Sequence, residues 1–203
     1  MNNEILYVLL PDFASHEMVY LMEAISCDEQ QLKPDPKYLN RIVAPTTAPV
    51  CAIGGFRVIP DYTFDNMPDD YAALVLIGGY GWLTPISDDV KPIVGKAIDN
   101  GKIVGAICNG ASFMAKCGFL NGIRHTGNGL EQLKSWGGEN YTNPEEYVHA
   151  QAVSDRNIVT ANGSATLEFA KELLLLLEND TAERIEMYYQ FNRQGYCALF
   201  AAD

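Results

Sequence analysis

The chain has 203 residues, of which 48% are hydrophobic, 10% aromatic and 20% charged, a composition typical of one globular domain. This composition excludes a disordered tail and a coiled coil. The 14 basic and 26 acidic residues give a net charge of −12. Because phosphate groups bind clustered lysine and arginine, we expect no nucleic acid and no membrane among its partners.

Two apolar runs, Ile5–Leu10 and Leu173–Leu177, are the densest in the chain. The first is too short, and too close to an acidic residue, to predict a signal peptide. The second has five residues, whereas a membrane-spanning helix needs about 20. We therefore expect a cytoplasmic protein.

Cysteine and histidine spacing argues against a disulfide scaffold and against a metal site. The five cysteines are odd in number and form no C-x-x-C pair, which favours reduced thiols. The three histidines, His16, His125 and His149, are far apart in the sequence. We expect neither a metal nor another cofactor.

Apolar runs alternate with helical patterns along the chain, which is typical of a parallel sheet covered by helices. The predicted strands are Ile5–Leu10, Arg41–Ala44, Phe56–Ile59, Leu74–Ile77, Lys102–Ile107 and Asn157–Ala161. The predicted helices are Ser15–Cys27, Asp88–Asn100, Asn109–Lys116, Gly129–Trp136, Ser164–Glu178 and Thr181–Arg193. We predict an α/β three-layer sandwich with a mostly parallel, flavodoxin-like central sheet and helices on both faces. Residues 1–180 would form the domain, and residues 181–203 a helical extension packed on it.

The uninterrupted apolar runs Leu74–Ile77 and Lys102–Ile107 should form the centre of the sheet, because such runs suit strands that are buried on both faces. Gln31–Tyr38, which contains two prolines, is predicted to be a surface connection. Open α/β sheets bind ligands outside the carboxyl ends of their strands. Residues 78–82 and 108–111, which follow the two central strands, are therefore where we expect the chemistry.

Cys108 follows a buried strand and begins a helix, with the small residues Ala106 and Gly110 on either side. This pattern is typical of a nucleophile elbow, a sharp turn that leaves no room for larger neighbours. The N–H groups and dipole of a helix N-terminus stabilise an anion, which predicts a lowered thiol pKa and donors for an oxyanion. Gly78-Gly79, at the end of the neighbouring strand, would let a second backbone N–H approach.

These residues also have ordinary structural interpretations. A free cysteine is usually a small buried hydrophobe, and we interpret Cys27, Cys51, Cys117 and Cys197 in that way. A glycine pair is commonly only a turn.

Four segments together resemble the DJ-1/PfpI superfamily, which has a class I glutamine amidotransferase-like fold. In chain order they are Arg57–Asp61, Leu76–Gly79, Ala106–Gly110 and Asn157–Ser164. The resemblance extends from residue 5 to about residue 178, and the predicted helix after it is similar to an addition in some bacterial members. It implies that Glu17 is a protonated donor to a Cys108 thiolate, whereas periodicity alone would make Glu17 a solvated helix residue.

The resemblance also implies a pocket mouth and an oligomeric state. Tyr80, Trp82, His125 and Asn128 would frame the mouth of the pocket, with core packing as an equal alternative for the two aromatic rings. We expect a homodimer.

The chain departs from the family where a catalytic histidine is expected. The two implied positions, directly after the cysteine and in a later loop, hold Asn109 and Asn128, and the His-x-Glu of true amidotransferases does not occur. Protease or glutaminase activity is therefore not expected. His125 is an alternative base if the loop register differs, and His16 lies about 100° around the helix from Glu17.

Two main functions remain open, and both take a small molecule as partner. In the first, a hydrolase, lyase or hydratase-like enzyme, Cys108 attacks a carbonyl, the N–H groups of Gly79 and Asn109 bind the developing charge, and Glu17 moves a proton. In the second, a non-catalytic oxidation-sensing or stress-protective protein, an oxidant reacts with Cys108. A binding scaffold without activity is the third interpretation.

Overall fold

The computed structural model describes residues 3–27 and 34–199, which form a three-layer α/β fold. The strands are β1 (Glu4–Val8), β2 (Leu39–Ala44), β3 (Val50–Cys51), β4 (Arg57–Val58), β5 (Tyr62–Thr63), β6 (Ala73–Leu76), β7 (Ile103–Ile107), β8 (Ala152–Asp155) and β9 (Ile158–Ala161). The helices are α1 (His16–Ser26), α2 (Lys91–Asp99), α3 (Asn109–Lys116), α4 (Leu130–Gly137), α5 (Thr166–Leu176), α6 (Ala182–Gln194) and α7 (Tyr196–Leu199). Two 3-10 helices, Tyr80–Leu83 and Pro85–Val90, connect β6 to α2.

The central sheet has seven strands in the order β5-β2-β1-β6-β7-β9-β8. The five strands from β2 to β9 are parallel and follow the flavodoxin order, while β8 pairs antiparallel with β9 at the edge. This confirms the predicted fold class. It also confirms that β6 and β7 lie at the centre, which brings the carboxyl ends of these strands together.

Alternate residues of β1 face two separate cores. Ile5 and Tyr7 pack with α1 and α5 on one side, and Leu6 and Val8 pack with α2 and α3 on the other. All four side chains are buried. The continuous apolar sequence of β1 therefore reflects burial on both faces of the sheet.

The sequence prediction was wrong for one strand and missed three. Phe56–Ile59, predicted as a strand of the main sheet, contributes only Arg57–Val58 to a separate hairpin with β3. The missed strands β3 and β5 have two residues each, and β8 is a short edge strand in which only Val153 is fully buried. Short and half-exposed strands carry too little apolar periodicity to be recognised.

Two further predicted segments border the parts of the chain that the structure does not describe. Of Gln31–Tyr38, residues 31–33 lie outside the described residues, and the rest is a surface bend. Helix α6 packs on α5 through the buried residues Ile185 and Tyr189, and the Thr181 hydroxyl accepts a hydrogen bond from Arg184 N–H at its start. Within the described ranges, no helix has the length and apolar character needed to cross a membrane.

The close packing of α3 on β6 gives a test of the turn that begins at Cys108. A Cβ on Gly110 would lie 2.6 Å from the carbonyl oxygen of Leu76, in the backbone of the central sheet. Gly110→Ala is therefore expected to lower the free energy of unfolding by about 1–3 kcal/mol, measured by urea denaturation.

Gly95→Ala in α2 is the matched control, because a Cβ there would lie 3.7 Å from its nearest neighbour, Phe119. Since alanine has the higher helix propensity, this variant should be more stable by up to about 1 kcal/mol. Equal effects of the two substitutions would contradict the packing argument.

Candidate active site

Cys108 lies at the sharp turn between β7 and α3. Its backbone has φ 58° and ψ −124°, a conformation that residues with a side chain rarely adopt. The strain is held in place by the surrounding backbone, since Cys108 N–H donates to Ala161 O at 3.0 Å and α3 begins at the next residue. The turn presents a half-buried thiol at the carboxyl edge of the sheet.

Glu17, on the first turn of α1, faces the sulfur from the other side. Its side chain is only 1% exposed, and its Oε2 accepts a hydrogen bond of 2.7 Å from Gly78 N–H. A Cβ on Gly78 would lie 2.5 Å from both the Cys108 Cβ and Glu17 Oε2, so only glycine lets carboxyl and thiol meet here. Glu17 is therefore not the solvated helix residue that periodicity alone predicts.

The carboxyl and the thiol titrate as a coupled pair. Burial raises the pKa of Glu17 above its ordinary 4.5, and hydrogen bonds from Cys108 and Gly78 offset only part of that effect. Burial also raises the pKa of Cys108 to about 11, and the negative charge of Glu17 is the next cause. The expected lowering of the Cys108 pKa considered only the helix terminus, which burial and the carboxyl outweigh.

Because each charge raises the pKa of the other group, the two do not ionise together readily. The coupling therefore favours the state in which carboxyl and sulfur hold one proton between them. With that proton on Glu17, the carboxyl becomes a hydrogen-bond donor and Cys108 a thiolate, a form that the N–H of Asn109 also stabilises.

Asn128 lies where a catalytic base would contact the sulfur. Its Nδ2 donates to Cys108 Sγ at 3.3 Å, and its Oδ1 accepts from Gly163 N–H at 2.9 Å. The second bond fixes the amide so that its NH₂ points at the sulfur. An amide in this position stabilises a negative sulfur but does not remove a proton from it.

Asn109 connects the two sides of the expected oxyanion site. Its side-chain Nδ2 donates to Gly79 O at 2.9 Å, and its Oδ1 accepts from Gln132 Nε2 at 3.0 Å. Within the described ranges, the Gly79 N–H has no protein acceptor. The side-chain role of Asn109 was not predicted, because it depends on α4 folding back over α3.

Two of the four residues expected at the pocket mouth lie elsewhere. Trp82 is 2% exposed, donates to Ile77 O and packs against Phe113, so the core interpretation holds for this ring. His125 is fully buried, with its ring nitrogens bonded to Ile123 O and to the Tyr141 hydroxyl, and burial lowers its pKa.

Tyr80 and His16, two further candidate residues, lie at the surface near the site. Tyr80 is 60% exposed directly after Gly79. His16 is exposed on α1, and its Nε2 donates to Gly163 O at 3.2 Å. Its charge also lowers the pKa of Glu17 slightly, so the two neighbours interact despite their different directions around the helix.

An open cavity of about 810 Å³ begins beside the cysteine, where Asn128 and Gly163 form part of its wall. The remaining wall is formed by Gly127, Gly129, Leu130, Tyr147, His149, Ala150, Gln151, Asn162 and Ser164. Residues 162–164 follow a predicted strand, and their position at its carboxyl end could have indicated that they line the site. Nothing in the sequence indicated that residues 147–151 line it, because the edge strand that brings them here was not predicted. The described residues contain no cluster of His, Cys, Asp or Glu suited to a metal ion.

The raised pKa of Glu17 has a consequence for stability. Below pH 4.5 the carboxyl is neutral in both the folded and the unfolded chain. Above that pH the unfolded chain loses the proton first, so wild-type stability falls until the folded-state pKa is passed. Glu17→Gln, which keeps an acceptor for Gly78 N–H, should therefore gain stability over wild type as the pH rises from 4 to 8. Thermal melts across this range measure the difference.

Glu186→Gln is a control with the opposite sign, because the hydrogen bond from Lys171 holds the pKa of that surface carboxyl below its usual range. Its small loss of stability should appear at neutral pH and vanish in acid. A Glu17→Gln advantage that did not change with pH would contradict a buried neutral carboxyl.

Comparison with known proteins agrees with this architecture. Residues 3–176 match the model of the DJ-1/PfpI family. YdeA of Bacillus subtilis, named an uncharacterized protease, is 34% identical over 194 residues, covering 94% of this chain and 91% of that protein. The DJ-1 superfamily protein Atu0886 from Agrobacterium tumefaciens is 31% identical, with a TM-score of 0.83 over 96% of this chain and 99% of that one. A thiJ/pfpI family protein from Bacillus anthracis is 28% identical, with a TM-score of 0.89 over 97% and 93% of the two chains. The chain therefore belongs to the DJ-1/PfpI family.

Proposed function

We propose that this protein is a cysteine-dependent enzyme that acts on electrophilic carbonyl groups of small molecules. The observation that carries the proposal is the buried Glu17 carboxyl against the Cys108 sulfur, next to an open cavity whose wall includes Asn128, the residue bonded to that sulfur. A nucleophile needs a means of losing its proton and a space for its substrate; the carboxyl supplies the first and the cavity the second.

The reaction begins with transfer of the shared proton to Glu17. The Cys108 thiolate then adds to the carbonyl carbon, and the π electrons move to the carbonyl oxygen. The N–H groups of Gly79 and Asn109 stabilise the negative oxygen. Its electrons then re-form the carbonyl as an anionic leaving group departs, water hydrolyses the acyl–sulfur bond, and Glu17 returns its proton to the released sulfur.

The groups around the sulfur argue against peptide and glutamine hydrolysis. Both reactions expel an amine, which must be protonated as it leaves, and histidine usually supplies that proton. In the part of the chain that the structure describes, the side chains hydrogen-bonded to the sulfur are those of Glu17 and Asn128. We therefore do not propose a protease, although the relative YdeA of Bacillus subtilis is named an uncharacterized protease.

Oxidation sensing is the second candidate, and one observation favours it. The donors that stabilise a thiolate, Asn128 Nδ2 and Asn109 N–H, also suit the oxygens of an oxidised sulfur. Peroxide would convert the thiolate to a sulfenate and then to a sulfinate, held by the same groups.

Hydrolysis of a short aryl ester distinguishes the two functions. The wild type should hydrolyse the ester, and Cys108→Ser should lose at least about 100-fold of that activity. Cys197→Ser is the matched control, because this cysteine is exposed, contrary to our interpretation of it as buried, and lies on α7.

Wild-type turnover equal to that of Cys108→Ser would reject the enzyme. Clean sulfinate formation at Cys108 under peroxide would in that case support the sensor. Cys108-dependent release of ammonia from glutamine would contradict the exclusion of amide substrates.

We also propose a cytoplasmic homodimer. Two pairs of exposed apolar side chains, Ile53 with Phe56 and Tyr80 with Leu83, lie on segments that flank Phe13, and apolar surface of this kind favours association. Light scattering should give twice the mass of one chain for wild type and a lower mass for Phe56→Asp. A monomeric wild type would reject this assembly.

A further inference from the structure

One wall of the cavity carries an imidazole that the reaction above does not use. His149 belongs to the segment before β8, and β8 pairs with β9 so that Ala152 lies opposite Ala161. Asn162 N–H donates to Gln151 O, and Cys108 N–H donates to Ala161 O. These bonds bring the segment with His149 to the same edge of the sheet as the cysteine.

The backbone on both sides of His149 is fixed. Val148 N–H donates to His125 O at 2.8 Å, and the Thr126 hydroxyl donates to Ala150 O at 2.9 Å. Both anchors lie on the segment that continues to Asn128, the residue bonded to the sulfur. These two bonds hold the main chain at His149 in place relative to the segment that carries Asn128.

Three other polar residues of the cavity wall bond to one another. Asn162 donates to Gln151 Oε1 at 2.7 Å and accepts from the Ser164 hydroxyl at 2.6 Å. Among the described residues, the exposed His149 side chain has no hydrogen-bond or ion-pair partner. Aspartate, glutamate, lysine and arginine are not among the described residues that line the cavity, whereas the His149 ring has a nitrogen that can accept a proton from water.

We propose that His149 is the base that activates water against an acyl group carried on Cys108. The substrates would be small acyl compounds whose leaving group departs as an anion, such as thioesters and aryl esters. This inference rests on the proposed function of Cys108, and it explains how a site whose sulfur contacts an amide could still complete a hydrolytic cycle. His149 acts on water from the cavity wall and is not bonded to the sulfur, so it does not protonate the leaving group, and amides stay excluded.

Two steps make up the cycle. In the first, the Cys108 thiolate bonds to the acyl carbon, and the bond to the leaving group breaks with its electron pair on the departing thiolate or phenolate. In the second, His149 takes a proton from water, and the water oxygen bonds to the acyl carbon. The C–S bond then breaks, returning its electrons to Cys108, and His149 releases its proton to solvent.

Para-nitrophenyl acetate separates the two steps, because its phenolate leaves without protonation. Wild type should give a rapid burst of nitrophenolate, followed by steady turnover. In His149→Gln the burst should remain while the steady rate falls by at least about 100-fold, and acetyl-Cys108 should accumulate in the intact mass. The ionisation on the acid side of the steady-rate pH profile should disappear with the imidazole.

His16→Gln is the matched control, since its amide still donates to Gly163 O and its ring does not line the cavity. It should keep the acid-side ionisation. In His149→Ala, added imidazole should restore deacylation, a rescue that a merely structural role would not allow.

A steady rate and pH profile unchanged in His149→Gln, with acetyl-Cys108 formed normally, would overturn this inference alone. Absence of acetyl-Cys108 in the wild type would overturn the proposed function and this inference with it.

Discussion

The contact between a buried carboxyl and a thiol is the constraint on which the rest of this site depends. Glu17 and Cys108 meet only because Gly78, between them, has no side chain. Gly163 is equally restricted, since a Cβ there would lie 2.9 Å from the sulfur. Burial makes two charges in this space costly, so the pair keeps one proton, and the position of that proton decides whether the sulfur is nucleophilic.

The fold supplies this contact from four separate parts of the chain. Strand β7 ends in the strained turn at Cys108, and β6 ends at the glycine pair beside it. Helix α1 places its first turn over the sulfur, and β9 leads into Gly163. Parallel strands bring their carboxyl ends to one edge, which is why residues so distant in sequence form one site.

The amide of Asn128 limits the chemistry of the sulfur more than the fold does. Members of one superfamily often differ in activity, because activity is determined by a few side chains on a common framework. A donor at 3.3 Å stabilises the thiolate or its oxidised forms, whereas an imidazole would also exchange protons. In the proposed reactions, proton transfer therefore depends on Glu17 or on His149 in the cavity wall.

The local sequence pattern predicted the centre of the sheet, the turn at Cys108 and the bounds of α3. Burial on both faces of a sheet and a strand-to-helix turn each require particular residue types at adjacent positions, which a sequence shows directly. The pattern did not predict β8, because this exposed edge strand has little apolar periodicity, and it therefore did not predict the cavity wall that β8 positions. Composition and spacing likewise did not decide between core and pocket for Trp82, and they did not predict the burial of His125; the structure buries both. The sequence determined the framework and the strand-to-helix turn at Cys108; only the tertiary structure decided which side chains surround the sulfur, because those contacts join segments that share no local pattern.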